Sequence, residues 1–229
     1  MFTKIKSRHG ETIVEVMIAV IVLVIGVLAA VRLLITSGIQ NELSQERVIA
    51  TNLAREGIEA MRNIRGTNWL RFSGEKRRCW NNADFVAPIT CEDDNSDGVP
   101  NNVIEHDVFY IAKFDDSNYR WELEKITNPL NLSDGINLDD EKYRLRTDTG
   151  NGLLNHVPVG AGIEDTIYFR ELKIEYMNDT ATALSLTTPE EKANVVRITS
   201  RIEWEDRGRL NEIILTGILT DHLGRKNHD

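Results

Sequence analysis

Hydrophobic residues form one unbroken run near the start of the chain. No residue between Val16 and Val31 carries a charge, and the apolar character extends over residues 13–35. These 23 residues make about 34 Å of helix at ~1.5 Å per residue. Since the hydrocarbon core of a bilayer is about 30 Å thick, the run predicts a membrane-spanning helix.

The helical period continues after this run. Apolar or small residues recur near i, i+3, i+4 and i+7, which predicts one buried stripe. The stripe consists of Ile39, Leu43, Ala50, Leu53, Ala54, Gly57, Ile58, Met61 and Ile64. No proline precedes Pro88, and Gly66 is a natural stop. We therefore expect one near-continuous helix from residue 12 to about residue 65.

The later part of the chain has the pattern of a sheet. Residues 103–114, 119–126 and 166–177 are β-rich runs. The clearest alternation places five residues on one face of a strand: Val196, Ile198, Ser200, Ile202 and Trp204. A turn over residues 206–209 and a partner strand over residues 210–221 complete a predicted hairpin.

The remaining segments of this part are predicted to be loops or core. Residues 128–162 are rich in Asn, Asp and Gly, so we expect surface loops there. Six aromatic residues are expected in the core: Tyr110, Tyr119, Trp121, Tyr168, Phe169 and Trp204. The fold class that follows is α+β, with a long N-terminal helix, half membrane and half amphipathic, packed on an antiparallel β-sheet head domain.

Charge divides the chain into two unequal parts. The first ten residues carry Lys4, Lys6 and Arg8 and no acid, whereas the rest has 24 basic and 36 acidic residues. The basic leader predicts a cytoplasmic N-terminus with the head exported. The net charge of −9 argues against broad contact with nucleic acid phosphates, which requires a cationic face.

Glu15 is the one acid in the predicted membrane segment. A carboxylate at bilayer depth costs roughly 2.5–3.5 kcal/mol on insertion scales. Either Glu15 lies at the headgroup boundary, or it finds a cationic partner inside an assembly. The absence of a basic residue near it in the sequence favours the second interpretation.

The segment from Gly10 to Val20 (GETIVEVMIAV) resembles the class III leader of type IV pilins and of type II secretion pseudopilins. In that family a short basic leader ends in Gly, and Glu is the fifth residue of the apolar helix that follows. The resemblance implies cleavage after Gly10 by a prepilin peptidase, methylation of the new amino terminus on Glu11, and a role for Glu15 in assembly and register. Glu11 stands where the family usually has Phe. An ordinary secretory signal, with residues 27–29 as a small-residue cleavage site, is the alternative.

Two features fall in the segment after the helix. Cys79 and Cys91 are the only cysteines, and outside the cytoplasm two lone cysteines are usually paired, although two free buried thiols remain the alternative. Asp93, Asn95 and Asp97 precede Gly98 as in a short calcium loop, with Asn101 as an extra ligand. This is the only candidate ion site, and a solvated acidic turn explains the same residues.

The sequence predicts assembly rather than chemistry. No phosphate-binding glycine loop, HExxH or GxSxG motif occurs, so we expect no enzyme and no cofactor apart from the candidate calcium. The expected organisation is a leader over residues 1–10, a transmembrane and filament-core helix over 11–35, its amphipathic continuation over 36–70, and an exported head over 71–229. Expected partners are other pilin subunits, the prepilin peptidase and a membrane assembly platform. A minor pseudopilin of type II secretion and a membrane-anchored binding domain that does not polymerise are the alternatives to a minor pilin.

Overall fold

The structure is a computed structural model, and it describes residues 13–73, 79–83, 103–136, 140–150, 152–177 and 195–220. The chain divides into two compact units, residues 1–48 and residues 49–229. One helix, α1 (Ile13–Arg71), contains all described residues of the first unit and the start of the second. The described residues of the second unit include a seven-stranded antiparallel sheet.

The buried stripe of α1 lies in the second unit. It follows the predicted period and also includes two residues that the sequence did not single out, Ala60 and Asn68. Its members are Ala50, Leu53, Ala54, Gly57, Ile58, Ala60, Met61, Ile64 and Asn68. The prediction was wrong at the other end of the stripe, because Ile39 is exposed and Leu43 is only half-buried.

Gly66 does not end the helix, which continues to Arg71. A glycine inside a helix costs about 1 kcal/mol relative to Ala. Contacts made by residues on both sides of Gly66 offset that cost. The buried Asn68 amide donates to the carbonyl oxygens of Trp80 (3.1 Å) and Asn82 (2.8 Å). The guanidinium of Arg65 also stacks 4.8 Å from the ring centre of Trp69.

The sheet is built from seven strands, all paired antiparallel. They are β1 (Val108–Asp115), β2 (Arg120–Ile126), β3 (Arg144–Asp148), β4 (Leu154–Asn155), β5 (Ile163–Met177), β6 (Val195–Asp206) and β7 (Arg209–Thr220). One row of neighbours runs β2-β1-β5-β3-β4, and β6 pairs with β5 and β7. The long β5 strand is therefore central, since it pairs with β1, β3 and β6.

The second half of α1 packs on one face of this sheet, so the predicted α+β class is confirmed. On β6 the expected alternation holds, and the five predicted inward residues are all buried. Two glycines permit close approach of helix and strands. A Cβ on Gly57 would lie 2.7 Å from Oγ of Ser200, and a Cβ on Gly217 would lie 2.8 Å from Cγ2 of Ile58.

The predicted hairpin forms with a two-residue turn. Arg207 and Gly208, between β6 and β7, both have positive φ, at 50° and 74°. Two successive positive-φ residues match the twist of the flanking strands. The turn therefore sets the register in which Asp206 pairs with Arg209.

Two predictions about the middle of the chain were wrong. Residues 128–162 contain strands β3 and β4 and two 3₁₀ helices, Leu132–Asp134 and Asp140–Tyr143. The charged residues of β3 hide the usual apolar pattern of a strand, so the sequence did not predict one there. Leu145 within β3 is nevertheless fully buried. Tyr119 is not in the core: it lies in the turn between β1 and β2, at φ 50° and 84% exposed. The other five aromatic residues are buried or half-buried.

Candidate functional site

The apolar stem, which we define as residues 13–35, is the most unusual surface of the described chain. Its large apolar side chains are all exposed, with values such as 80% for Ile13 and 73% for Leu34. Among the described residues, α1 is the one helix long and apolar enough to span a membrane, with a mean hydropathy of 3.0 over its most apolar 18 residues. A stem of this kind needs lipid or other apolar helices around it.

Glu15 lies in the first turn of α1 and is exposed. Within the described residues no ion pair or hydrogen bond involves its carboxylate. The two predicted processing residues, Gly10 and Glu11, lie outside the described residues. Of the three residues predicted for processing or assembly, the structure therefore describes only Glu15, on an otherwise apolar helix surface.

The disulfide and calcium predictions concern mostly undescribed residues. Cys79 is fully buried, and its expected partner Cys91 lies outside the described part of the chain. The calcium candidates lie outside it as well: Asp93, Asn95, Asp97 and Asn101. Within the described ranges, no group of three or more His, Cys, Asp or Glu side chains could hold a metal ion.

The sheet of the second unit carries a cavity of about 300 Å³ that opens to solvent. It is lined by Ile111, Lys113, Glu124, Glu141, Lys142, Arg146, His156, Val157, Pro158 and Val159. Its main charges are already compensated. Lys113 pairs with Glu124, and the Arg146 guanidinium donates to Glu141 at 2.7 Å and to Asp165 at 2.6 Å. The first pair joins β1 to β2, and the contacts of Arg146 join β3 to β5 and to the 3₁₀ helix before it.

His156 is one of the residues that line this cavity, and only 4% of its surface is exposed. Neither ring nitrogen makes a hydrogen bond of good geometry with the described residues, although the backbone of Lys142 and Arg144 lies close by. Burial holds the pKa of His156 well below its usual range, and the positive charges of Arg170 and Lys113 lower it further. The imidazole is therefore neutral at physiological pH.

Arg170 is a fully buried cation between the helix and the sheet. Its guanidinium lies 3.3 Å from a carboxylate oxygen of Glu56 and donates to the carbonyl oxygens of Leu53 (3.4 Å) and Ala112 (3.2 Å). It also lies 5.8 Å from the ring centre of Trp121. Burial lowers the pKa of Arg170, and Glu56 opposes that shift. Arg170 thus links α1, β5 and β1 through charge and backbone contacts.

Two acids on the opposite face of the sheet hold a loop. The carboxylate of Glu171 accepts from the backbone N–H of Leu130 at 2.5 Å, and Glu203 accepts from that of Leu132 at 3.3 Å. Arg201 pairs with both acids and donates to the carbonyl oxygen of Leu130 at 2.8 Å. Burial is the largest effect on both acids and raises the pKa of Glu171 and of Glu203.

Sequence reasoning missed these buried polar residues. A signal for Arg170 existed, because it lies two residues from both Tyr168 and Leu172 along β5 and therefore shares their face of the strand, which packs on the helix. No comparable signal existed for His156, which follows a two-residue strand. Glu171 and Glu203 alternate with the inward residues, so the pattern placed them on the solvent face. A loop distant in sequence covers them there.

Comparisons of the chain with family models, curated proteins and solved structures return no match.

Proposed function

We propose that the protein is a structural pilin subunit of a type IV pilus-like filament assembled from the cytoplasmic membrane. The observation that carries the proposal is the double character of α1. Residues 13–35 of this helix expose an apolar surface, and the buried stripe from Ala50 to Asn68 covers a sheet. A helix of this kind can anchor a folded domain and also supply the apolar core of a helical assembly.

The leader determines how such a subunit is oriented in the membrane before assembly. Its charge of +3 holds the N-terminus in the cytoplasm, so the domain at the other end of the apolar segment is exported. Cleavage after Gly10 removes those charges and creates a free amino terminus on Glu11, the expected methylation site. The prepilin peptidase and the membrane assembly platform are the partners in this step.

Glu15 supplies the specificity of assembly in this proposal. An unpaired carboxylate in an apolar surrounding is costly, whereas a cation at hydrogen-bond distance offsets the cost. The amino terminus of a neighbouring subunit is such a cation. Pairing would then fix the axial register while the apolar stems pack against one another.

The test compares Glu15→Ala with Val16→Ala, a neighbouring substitution that changes volume but no charge. Both variants are expressed with a prepilin peptidase and the assembly platform, and both leader cleavage and incorporation into sheared surface filaments are measured. We expect both to be cleaved and only Val16→Ala to enter filaments. Incorporation of Glu15→Ala at the wild-type level would contradict the assembly role.

The same assay separates the alternatives. A membrane-anchored binding domain would keep its leader or remain in the membrane in both variants. A minor pseudopilin would enter filaments only with a secretion platform.

Pairing of Cys79 with Cys91 and calcium binding near Asp93 are further proposals. Thiol labelling under denaturing conditions tests the first, and calcium titration tests the second.

A further inference from the structure

The stem contains two opposite charges and no others. Glu15 and Arg32 are the only charged residues between positions 13 and 41. Both lie on α1, both are exposed, and neither forms an ion pair with another described residue of its own chain. In an apolar surrounding each would need an opposite charge from outside the chain.

The two charges cannot meet within one helix. They are 17 residues apart, which corresponds to about 26 Å along the axis at ~1.5 Å per residue. At 3.6 residues per turn they also point in directions about 100° apart around the helix. Each copy therefore presents an acid on one side and, further along, a base on another side.

Resting on the proposed function, we infer that Arg32 of one copy pairs with Glu15 of a second copy displaced by about 26 Å along the filament axis. All copies enter the membrane with the same orientation, so their stems are parallel, and only an axial displacement brings the two charges to one level. A guanidinium can bind both oxygens of a carboxylate, which makes Arg suited to a desolvated contact of this kind.

This contact differs from a closed dimer. Because the acid and the base lie on different sides, each copy uses its acid with one neighbour and its base with another. Such head-to-tail contacts generate open helical assemblies unless the rotation closes a ring. The amino terminus of yet another neighbour can share the same Glu15, since a carboxylate accepts several hydrogen bonds.

Disulfide cross-linking tests the displacement without removing either charge. Ile18→Cys and Ile35→Cys lie one turn beyond Glu15 and Arg32 on the same sides, and they keep the 17-residue spacing. In filaments oxidised and sheared from cells, we expect the full-length double variant to give a ladder of multimers on a non-reducing gel. The wild type, with Cys79 and Cys91, and a control with Ile18→Cys and Leu28→Cys should give no ladder.

A third substitution tests whether Arg32 sets the register. Adding Arg32→Leu to the Ile18→Cys, Ile35→Cys variant should reduce the ladder by about tenfold or more, because it removes the base that holds the displacement of about 26 Å, even where an amino terminus still pairs with Glu15. An undiminished ladder, or a ladder from the Leu28→Cys control instead, overturns the inference. Filaments that contain the protein but yield no ladder also overturn it and leave the proposed function intact. A protein that never enters filaments overturns both.

Discussion

Gly57 provides the most direct test of how helix and sheet fit together. It lies in the middle of the buried stripe of α1, where the helix approaches β5 and β6. A Cβ at this position would lie 2.7 Å from Oγ of Ser200, 2.8 Å from Cδ2 of Leu172 and 3.4 Å from Cδ of Arg170. The first two distances are too short for carbon contacts, so Gly57→Ala must displace buried side chains.

The change in the free energy of unfolding expected for Gly57→Ala is the sum of two opposing contributions. Replacing Gly by Ala in a helix stabilises it by about 0.8–1 kcal/mol through propensity. Inserting a methyl group into a close-packed core costs about 1–3 kcal/mol. Gly66 is the matched control, since it lies in the same helix and a Cβ there meets nothing within 4 Å. The difference between the two variants isolates the packing cost.

The measurement is urea unfolding of the full-length chain in detergent micelles, followed by the fluorescence of buried Trp80 and Trp204. We expect Gly66→Ala to raise the free energy of unfolding and Gly57→Ala to fall about 1–3 kcal/mol below it. If both substitutions stabilise the protein equally, the close approach of α1 to the sheet is wrong. Ser200→Ala should reduce the penalty of Gly57→Ala, because it removes the nearest atom, a hydroxyl with no described partner.

Three further predictions concern the same unit. The lowered pKa of His156 means that its contribution to stability is present above the unfolded-state pKa of about 6.5 and is lost as the pH falls below it. His156→Leu should therefore flatten the pH dependence of unfolding between about pH 6.5 and 4.5, and an unchanged slope would contradict the burial of a neutral imidazole. The raised pKa of Glu171 has the opposite sign, since its contribution is present below the unfolded-state pKa and is lost as the pH rises through the folded-state pKa. Glu171→Gln should consequently gain stability relative to wild type as the pH rises from about 4 to 7, measured by thermal unfolding, and a relative loss over that range would show that the ion pair with Arg201 dominates. Gly217→Ala should destabilise the wild type more than it destabilises an Ile58→Ala background, because the added Cβ lies 2.8 Å from Cγ2 of Ile58; equal penalties in a double-mutant cycle would rule out that contact.

The periodic parts of the fold were readable from the sequence because one face of each element is buried. The helical stripe around Leu53 and Ile58 and the alternation around Ile198 and Ile202 follow directly from that burial. The end of α1 could not be predicted from the sequence. The contacts that stabilise the helix beyond Gly66 involve Trp80 and Asn82, which lie in another part of the chain.

The burial of charged residues in the second unit could not be predicted from the sequence either. A charged residue in a strand normally indicates a solvent face. The charges of Arg146 and Glu171 therefore predict exposure, although both residues are buried. Their partners, Asp165 for one and the Leu130 backbone for the other, come from segments that no local pattern connects. For the proposed assembly site, the spacing of Gly10 and Glu15 could be recognised because it is local in sequence. The structure adds that Glu15 lies on an exposed apolar helix.

The central claim is that the leader is cleaved off after Gly10, on the cytoplasmic side of the stem, before the protein assembles. Intact-protein and N-terminal peptide mass spectrometry, on protein purified from cells with and without an active prepilin peptidase, tests it most directly. With the peptidase, we predict a chain that lacks its first ten residues, begins at Glu11 and carries one methyl group on the new amine. Without it, the chain should begin at Met1. A chain that still begins at Met1 in the presence of active peptidase, or one cut after Ala29 as a secretory signal would be, contradicts the account.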